Sequence, residues 1–217
     1  MGRAEVMRRY IGLNAFEGWM LLKNSWIPLL LLSVSSGIEL LGGGVDLLRY
    51  DRDGVLSGEL WRLVTAHLVH GSRLHLLFNT VGLLLVWAIY PSYFRQAASL
   101  LLAVGIALSI SAALLVLNPD VAWYLGMSAL LHGLFAAWSL VDLLNGRPIA
   151  SIPLVLVVLK VLYEQYAGAA PEVVATIGLP VLVDAHLYGV IAGLALGWGM
   201  YALGWLVACG AKKRRSP

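Results

Sequence analysis

The chain has 217 residues, of which 60% are apolar and only 12% charged, with a mean hydropathy of +0.82. An ordinary soluble domain carries about 25% charged residues, and a water-soluble chain of this size cannot cover its surface with so few. Composition therefore excludes disorder, a collagen-like fibre, a disulfide scaffold (Cys209 is the single cysteine) and an ordinary cytosolic enzyme, and leaves an all-α polytopic membrane protein. The net charge of +3 comes from clusters at the two ends. Arg3, Arg8, Arg9 and Lys23 stand at one, Lys212, Lys213, Arg214 and Arg215 at the other. Basic clusters flanking apolar segments mark cytoplasmic ends beside anionic lipid rather than a nucleic-acid site.

Over residues 1–24, Ile11, Ala15, Trp19 and Leu22 recur at helical spacing between Arg8 and Lys23. That pattern predicts a cytoplasmic helix lying in the interface, and no clear A-x-A site marks the stretch as a signal peptide. A membrane domain is expected over 25–209 and a basic cytoplasmic tail over 210–217. Spanning helices need about 20 mostly apolar residues, and six such segments are read: Trp26 to Leu41, Leu74 to Tyr90, Ala97 to Leu117, Met127 to Leu144, Ile149 to Tyr163 and Asp184 to Ala208. Pro28 and Pro153 fall near helix starts, where proline is tolerated. With six spans both basic termini share the cytoplasmic side, and the Arg95 and Arg147 loops join them. The 118–124 and 165–183 loops carry no Lys or Arg and face outward. The 42–73 loop is the exception, with Arg49, Arg52, Arg62 and Arg73 on the outer side.

Ionisable or strongly polar side chains inside a span are expensive and mark functional sites by default. Ser128 opens the fourth span and His186 the sixth, while His75 and Asn79 stand at i and i+4 on one face of the second. In this topology all three helices begin on the outer side, so these groups share one depth. A serine hydroxyl becomes a nucleophile when an adjacent base takes its proton, and histidine is the usual base. Donors are then needed where the tetrahedral intermediate develops negative charge. His75, Asn79 and the Ser128 backbone N–H at a helix start can supply them. Singly, each residue also reads as packing or as a helix-to-helix hydrogen bond, and Gly189, Gly193 and Gly197 at four-residue spacing as close helix contact.

Three separated motifs change that weighing. The stretch GELWRLVTAHLVHGSRLHLLFN from Gly58 to Asn79, the Gly126-Met127-Ser128 triplet, and Ala185-His186-Leu187-Tyr188-Gly189 with Gly193 beyond it resemble the signatures of rhomboid intramembrane serine proteases. The resemblance covers about Gly58 to Gly197. It implies a six-helix rhomboid-like bundle with a membrane-embedded first loop, and a Ser–His dyad without an acidic third member. Ser128 would be the nucleophile, His186 the general base, and His75 and Asn79 the oxyanion donors. Trp61 and Arg62 match a structural element of the first loop, and Gly126, Gly189 and Gly193 the structural glycines. Two positions depart from the pattern. Ala129 replaces the usual glycine after the serine, which restricts backbone that approaches substrate. His132 stands one helical turn after the serine where many relatives carry an aromatic residue, and is expected to touch His186 and orient its ring.

The compact length, Leu131-His132-Gly133 and Asp184-Ala185-His186-Leu187 look most like the rhombosortase branch. That likeness implies membrane-anchored partners with a C-terminal Gly-Gly sorting tail, a bacterial inner-membrane location and an active site opening to the periplasm. Glycine beside a scissile bond frays a helix and lets the peptide enter extended. No cofactor is implied. The rival readings are a catalytically inactive rhomboid-like protein that binds or escorts membrane proteins, a metal site at His67, His70 and His75, and a transporter. The metal site lacks an H-E-x-x-H carboxylate, so hydrogen bonding is the expected role of those histidines. For the transporter, Glu39, Asp142, Lys160 and Glu164 are the remaining ionisable groups near spans. Most lie close to a predicted helix end, where snorkelling is expected.

Overall fold

The computed structural model describes residues 26–41, 44–95 and 97–213, with backbone alone at 95 and 205–213. The helix expected over 1–24 and the end of the basic tail lie outside the described residues. In chain order the elements are α1 (Trp26–Leu41), α2 (Val45–Leu48), β1 (Tyr50–Asp51), α3 (Arg52–Leu56), α4 (Arg62–Thr65), α5 (Arg73–Ile89), α6 (Ala97–Leu117), β2 (Trp123–Tyr124), α7 (Ser128–Leu144), α8 (Ser151–Ala167), α9 (Pro171–Ile177) and α10 (Val183–Lys213). Short 3₁₀ turns follow α4 at Ala66–Leu68 and precede α8 at Pro148–Ala150.

The six apolar segments are all helical, and they differ in length. Ala97–Leu117, Pro148–Ala167 and Val183–Gly204 are long and apolar enough to cross a bilayer, and Arg62–Leu68 with Arg73–Ile89 form a pair bent by 91°. Helices α1 and α7 are shorter, at 16 and 17 residues. Two bounds differ usefully from expectation. Helix α8 runs to Ala167 rather than ending at Tyr163, which places Glu164 inside it. Helix α10 continues to Lys213 rather than stopping at Ala208. Glycines in positive-φ conformations punctuate the chain. Gly168 (φ 76°) caps α8, and Gly178 in the left-handed region caps α9, as a residue without Cβ allows.

The loops carry more structure than their composition suggests. The 42–73 segment folds into α2, β1, α3 and α4, and β1 pairs antiparallel with β2 so that Tyr50 faces Tyr124 and Asp51 faces Trp123. Arg62 is buried and staples this segment. Its Nε meets Glu59 Oε2 at 2.5 Å, and its Nη1 donates to the carbonyls of Asp46 (2.8 Å) and Arg49 (2.9 Å). Arg52 donates to Leu115 O on α6 at 2.9 Å, and Arg49 pairs with Asp46 at 3.3 Å. Three of the four arginines that sit awkwardly with a positive-inside topology, Arg49, Arg52 and Arg62, are thus committed to partners within the protein. Trp61 donates from Nε1 to Leu47 O at 3.2 Å. His67 is fully enclosed, with Nε2 3.1 Å from both Ala107 O and Ser111 Oγ, tying the loop to α6.

Helix α7 is the centre of the bundle, with most of its length buried. Its most extensive neighbour is α10, and their approach is backbone to backbone. A Cβ built at Gly189 would strike Ala129 O, and one at Gly193 would strike Gly133 O. One at Gly197 would lie 3.0 Å from Ala137 Cα. Ala129, expected to restrict the approach of substrate, is instead fully buried in this seam. Small residues are what membrane helices need at such a contact, because lipid offers no hydrophobic drive to bring helices together.

Gly193→Ala is therefore expected to lower thermal stability in detergent, since overpacking a tight contact costs about 1–3 kcal/mol. Gly199→Ala, on the same helix with nothing within 4 Å of its Cβ position, should be neutral or slightly stabilising. Equal melting temperatures for the two variants would contradict the seam.

Candidate active site

Helix α7 begins at Ser128 directly after a fixed turn. Gly126 adopts φ +120°, and a Cβ there would also meet His75 Cε1 at 2.8 Å and Nε2 at 2.9 Å, so glycine is required twice over. The turn is held by Gly126 N donating to Ala66 O (2.9 Å) and by Tyr124 O–H donating to Gly126 O (3.0 Å). Burial pushes the Tyr124 phenol up from its ordinary value, which keeps it a neutral donor. The start of α10 is fixed by Asn118, whose Nδ2 donates to Asp184 Oδ2 at 2.7 Å while its Oδ1 accepts from Tyr188 O–H at 2.6 Å.

These constraints bring Ser128 Oγ to 2.9 Å from His186 Nε2. Both residues, with His75, line a cavity of about 340 Å³ walled by residues 120–125 on one side and by Ile177 and 179–182 on the other. Ser72 supports this wall by capping α5 through His75 N (3.2 Å) and donating from Oγ to Ile177 O (2.8 Å). Asn79 is buried one turn beyond His75 on α5, and its Nδ2 donates to His75 O at 3.1 Å. Only the second N–H of that amide is left to serve an oxyanion.

His132 stacks on His186 with ring centroids 4.4 Å apart and planes 16° from parallel. Its Nδ1 lies 2.7 Å from Ser128 O. A carbonyl only accepts, so Nδ1 carries the proton and Nε2 is left as an acceptor. Lys160 Nζ fills that position at 2.8 Å.

The sequence reading missed the other face of the base. Lys160 and Glu164 do not both snorkel from a helix end. Glu164 is buried, and its Oε2 lies 2.9 Å from His186 Nδ1 and 2.8 Å from Lys160 Nζ. Lys160 Nζ is also 3.4 Å from His186 Nδ1. The resemblance implies a dyad without an acidic third member, and here a carboxylate stands 2.9 Å behind the histidine. Lys160 and Glu164 are the only charges in α8 and sit at i, i+4, a pairing that an intramembrane helix rarely carries without purpose.

One ligand atom from each of His132, Glu164 and His186 lies within 4.8 Å of the other two, a set that could hold a cation. The Lys160 ammonium stands among them and supplies the positive charge that such a set attracts. His67, His70 and His75 do not form a ligand set among the described residues; His67 binds α6, and the His70 and His75 rings meet edge to face at 5.1 Å.

A bundle of apolar helices with a serine–histidine contact at the wall of a cavity defines a polytopic membrane protein with a polar site among its helices. Residues 57–203 match the family model described as the rhomboid domain, and the chain belongs to the rhomboid family. Over 145 residues it is 27% identical to a Bacillus subtilis (strain 168) protein named "Putative rhomboid protease YdcA", covering 67% of this chain and 69% of that protein.

Replacing His132 with phenylalanine keeps a ring on His186 but removes both polar contacts. A hydrogen bond to a charged group is worth about 1.5–3 kcal/mol, so phosphonylation of Ser128 by a fluorophosphonate is expected to slow by about 10- to 100-fold in His132→Phe. An unchanged labelling rate would mean that stacking alone holds the base.

Proposed function

We propose that the protein is an intramembrane serine protease that cleaves membrane-anchored substrates through an acyl-enzyme. The observation that carries this reading is the 2.9 Å contact between Ser128 Oγ and His186 Nε2 at the wall of the cavity. In the reaction His186 Nε2 takes the hydroxyl proton as Oγ attacks the scissile carbonyl carbon. The oxyanion is received by His75, by the free amide N–H of Asn79 and by the Ser128 backbone N–H, which has no partner within a helix it begins. Collapse breaks the C–N bond, and His186 returns the proton to the leaving nitrogen. Water then repeats the sequence on the ester and frees Ser128.

In the proposed membrane placement the six apolar helices are six spans of a bacterial inner membrane, with both termini cytoplasmic and the cavity open to the periplasm. The length of α7 supports a site below the surface. Its 17 residues rise about 25 Å, short of a hydrocarbon core about 30 Å thick. The proposed substrates are those of the rhombosortase branch, whose C-terminal Gly-Gly tail precedes an apolar helix. A peptide bond must leave its helix to reach Ser128, and glycines unwind readily.

Co-expression with a single-span substrate bearing a Gly-Gly tail tests this directly. Wild type is expected to shorten the substrate, and Ser128→Ala to reduce the rate by at least about 10⁴-fold, as for other serine nucleophiles. A substrate left full-length beside folded wild-type protein would contradict the assignment.

A further inference from the structure

We infer that Glu164 is a positioning residue of the reaction, a third member behind His186, held in place by the ammonium of Lys160. The inference rests on the Ser128–His186 reading above. A base that accepts a proton at Nε2 must carry its own proton at Nδ1, and a carboxylate at Nδ1 fixes that tautomer and stabilises the imidazolium formed in turnover. Glu164 Oε2 stands at that place, 2.9 Å from Nδ1.

The shorter contacts around it fit one assignment of donors and acceptors. Ser128 O accepts from His132 Nδ1 (2.7 Å), and His132 Nε2 accepts from Lys160 Nζ (2.8 Å). Lys160 Nζ donates to Glu164 Oε2 (2.8 Å), which also accepts from His186 Nδ1 (2.9 Å). His186 Nε2 then accepts from Ser128 Oγ (2.9 Å). The circuit leaves the serine by its carbonyl and returns to it by its hydroxyl, with Lys160 donating to both of its neighbours and Glu164 accepting from both of its own. Reversing the His186 tautomer would leave Nδ1 only the longer Lys160 contact at 3.4 Å, set its lone pair against a carboxylate at 2.9 Å, and turn an N–H toward the nucleophile.

A lone buried carboxylate is strongly unfavourable, so Glu164 needs a counter-charge beside it. Lys160, one helical turn earlier, supplies the counter-charge while its stem remains at the bundle surface. During the reaction the Ser128 proton moves to His186 Nε2 and later to the leaving nitrogen. Glu164 stays ionised throughout and the Nδ1 proton stays on the ring. A metal in the same cage would have to displace the ammonium.

The test uses the full-length protein and a fluorophosphonate probe, reading the maximal labelling rate kinact separately from the half-saturating concentration KI. Glu164→Gln is expected to lower kinact by at least about 100-fold, because the amide N–H₂ can turn the imidazole to the wrong tautomer, with KI within about twofold. Glu164→Asp, which keeps the charge but draws it back, should fall between that variant and wild type. Lys160→Met should lower kinact less than Glu164→Gln does. Wild-type kinact in both Glu164 variants, with labelling still lost in Ser128→Ala, would reduce Glu164 to a structural ion pair and leave the protease reading standing. Wild type that fails to label, or Ser128→Ala that labels normally, would remove the serine reading and this inference together. Should Glu164→Gln fail to fold, Glu164→Asp decides alone: an unchanged kinact overturns the inference, and a lowered kinact at constant KI supports it.

Discussion

The contact between α7 and α10 sets the position of nearly everything else. It is made where Ala129 and Gly133 present carbonyl oxygens to Gly189 and Gly193, leaving no room for a side chain between the two backbones. Helices that meet this closely cannot slide or rotate by much. Since Ser128 is the first residue of α7 and His186 lies in the first turn of α10, the seam delivers a hydroxyl and an imidazole to hydrogen-bond distance. The same device recurs at Gly126, where the lack of a Cβ lets the His75 ring lie against the turn before the serine. Glycine here serves proximity more than flexibility.

Around that seam the polar groups are arranged in closed sets. The Ser128–His132–Lys160–Glu164–His186 circuit satisfies each of its members, and Arg62 gathers Glu59 and two carbonyls in the first loop. At the far end of α7, Asp142 accepts from Tyr93 O–H and pairs with Arg147 at 2.9 Å. Partly satisfied polar networks in a low-dielectric interior are heavily penalised. The apolar exterior, with Leu101, Leu156, Leu159 and Leu162 exposed, leaves these sets as the main carriers of specificity. On the proposed reading the catalytic base is held from both sides, by a stacked ring on one and a carboxylate on the other.

Much of this was legible in the sequence, and the exceptions share a cause. Helices α1 and α6 have the bounds that hydropathy predicts, because an apolar run long enough for a bilayer has few alternatives. Ser128, His75 and His186 stood out as polar groups at one depth. The side chains of α8 did not. A helix whose outer face meets lipid is apolar all round, so periodicity does not reveal which face turns inward. Glu164 and Lys160 therefore read as groups near a helix end, and only the packing of α8 against α7 and α10 shows the carboxylate aimed at the base. The β1–β2 pair was equally hidden, since two-residue strands separated by four helices leave no local pattern. Ala129 read as a substrate-side restriction because sequence order places it beside the serine. In the helix it turns the other way, into the seam.

The most direct test of the central claim is to treat the full-length protein with a fluorophosphonate and locate the adduct by peptide mapping. An activated serine paired with a histidine base predicts phosphonylation at Ser128 alone, and its loss when His186 is replaced by alanine. Adducts scattered over other serines, or an unmodified Ser128 in folded protein, would contradict it.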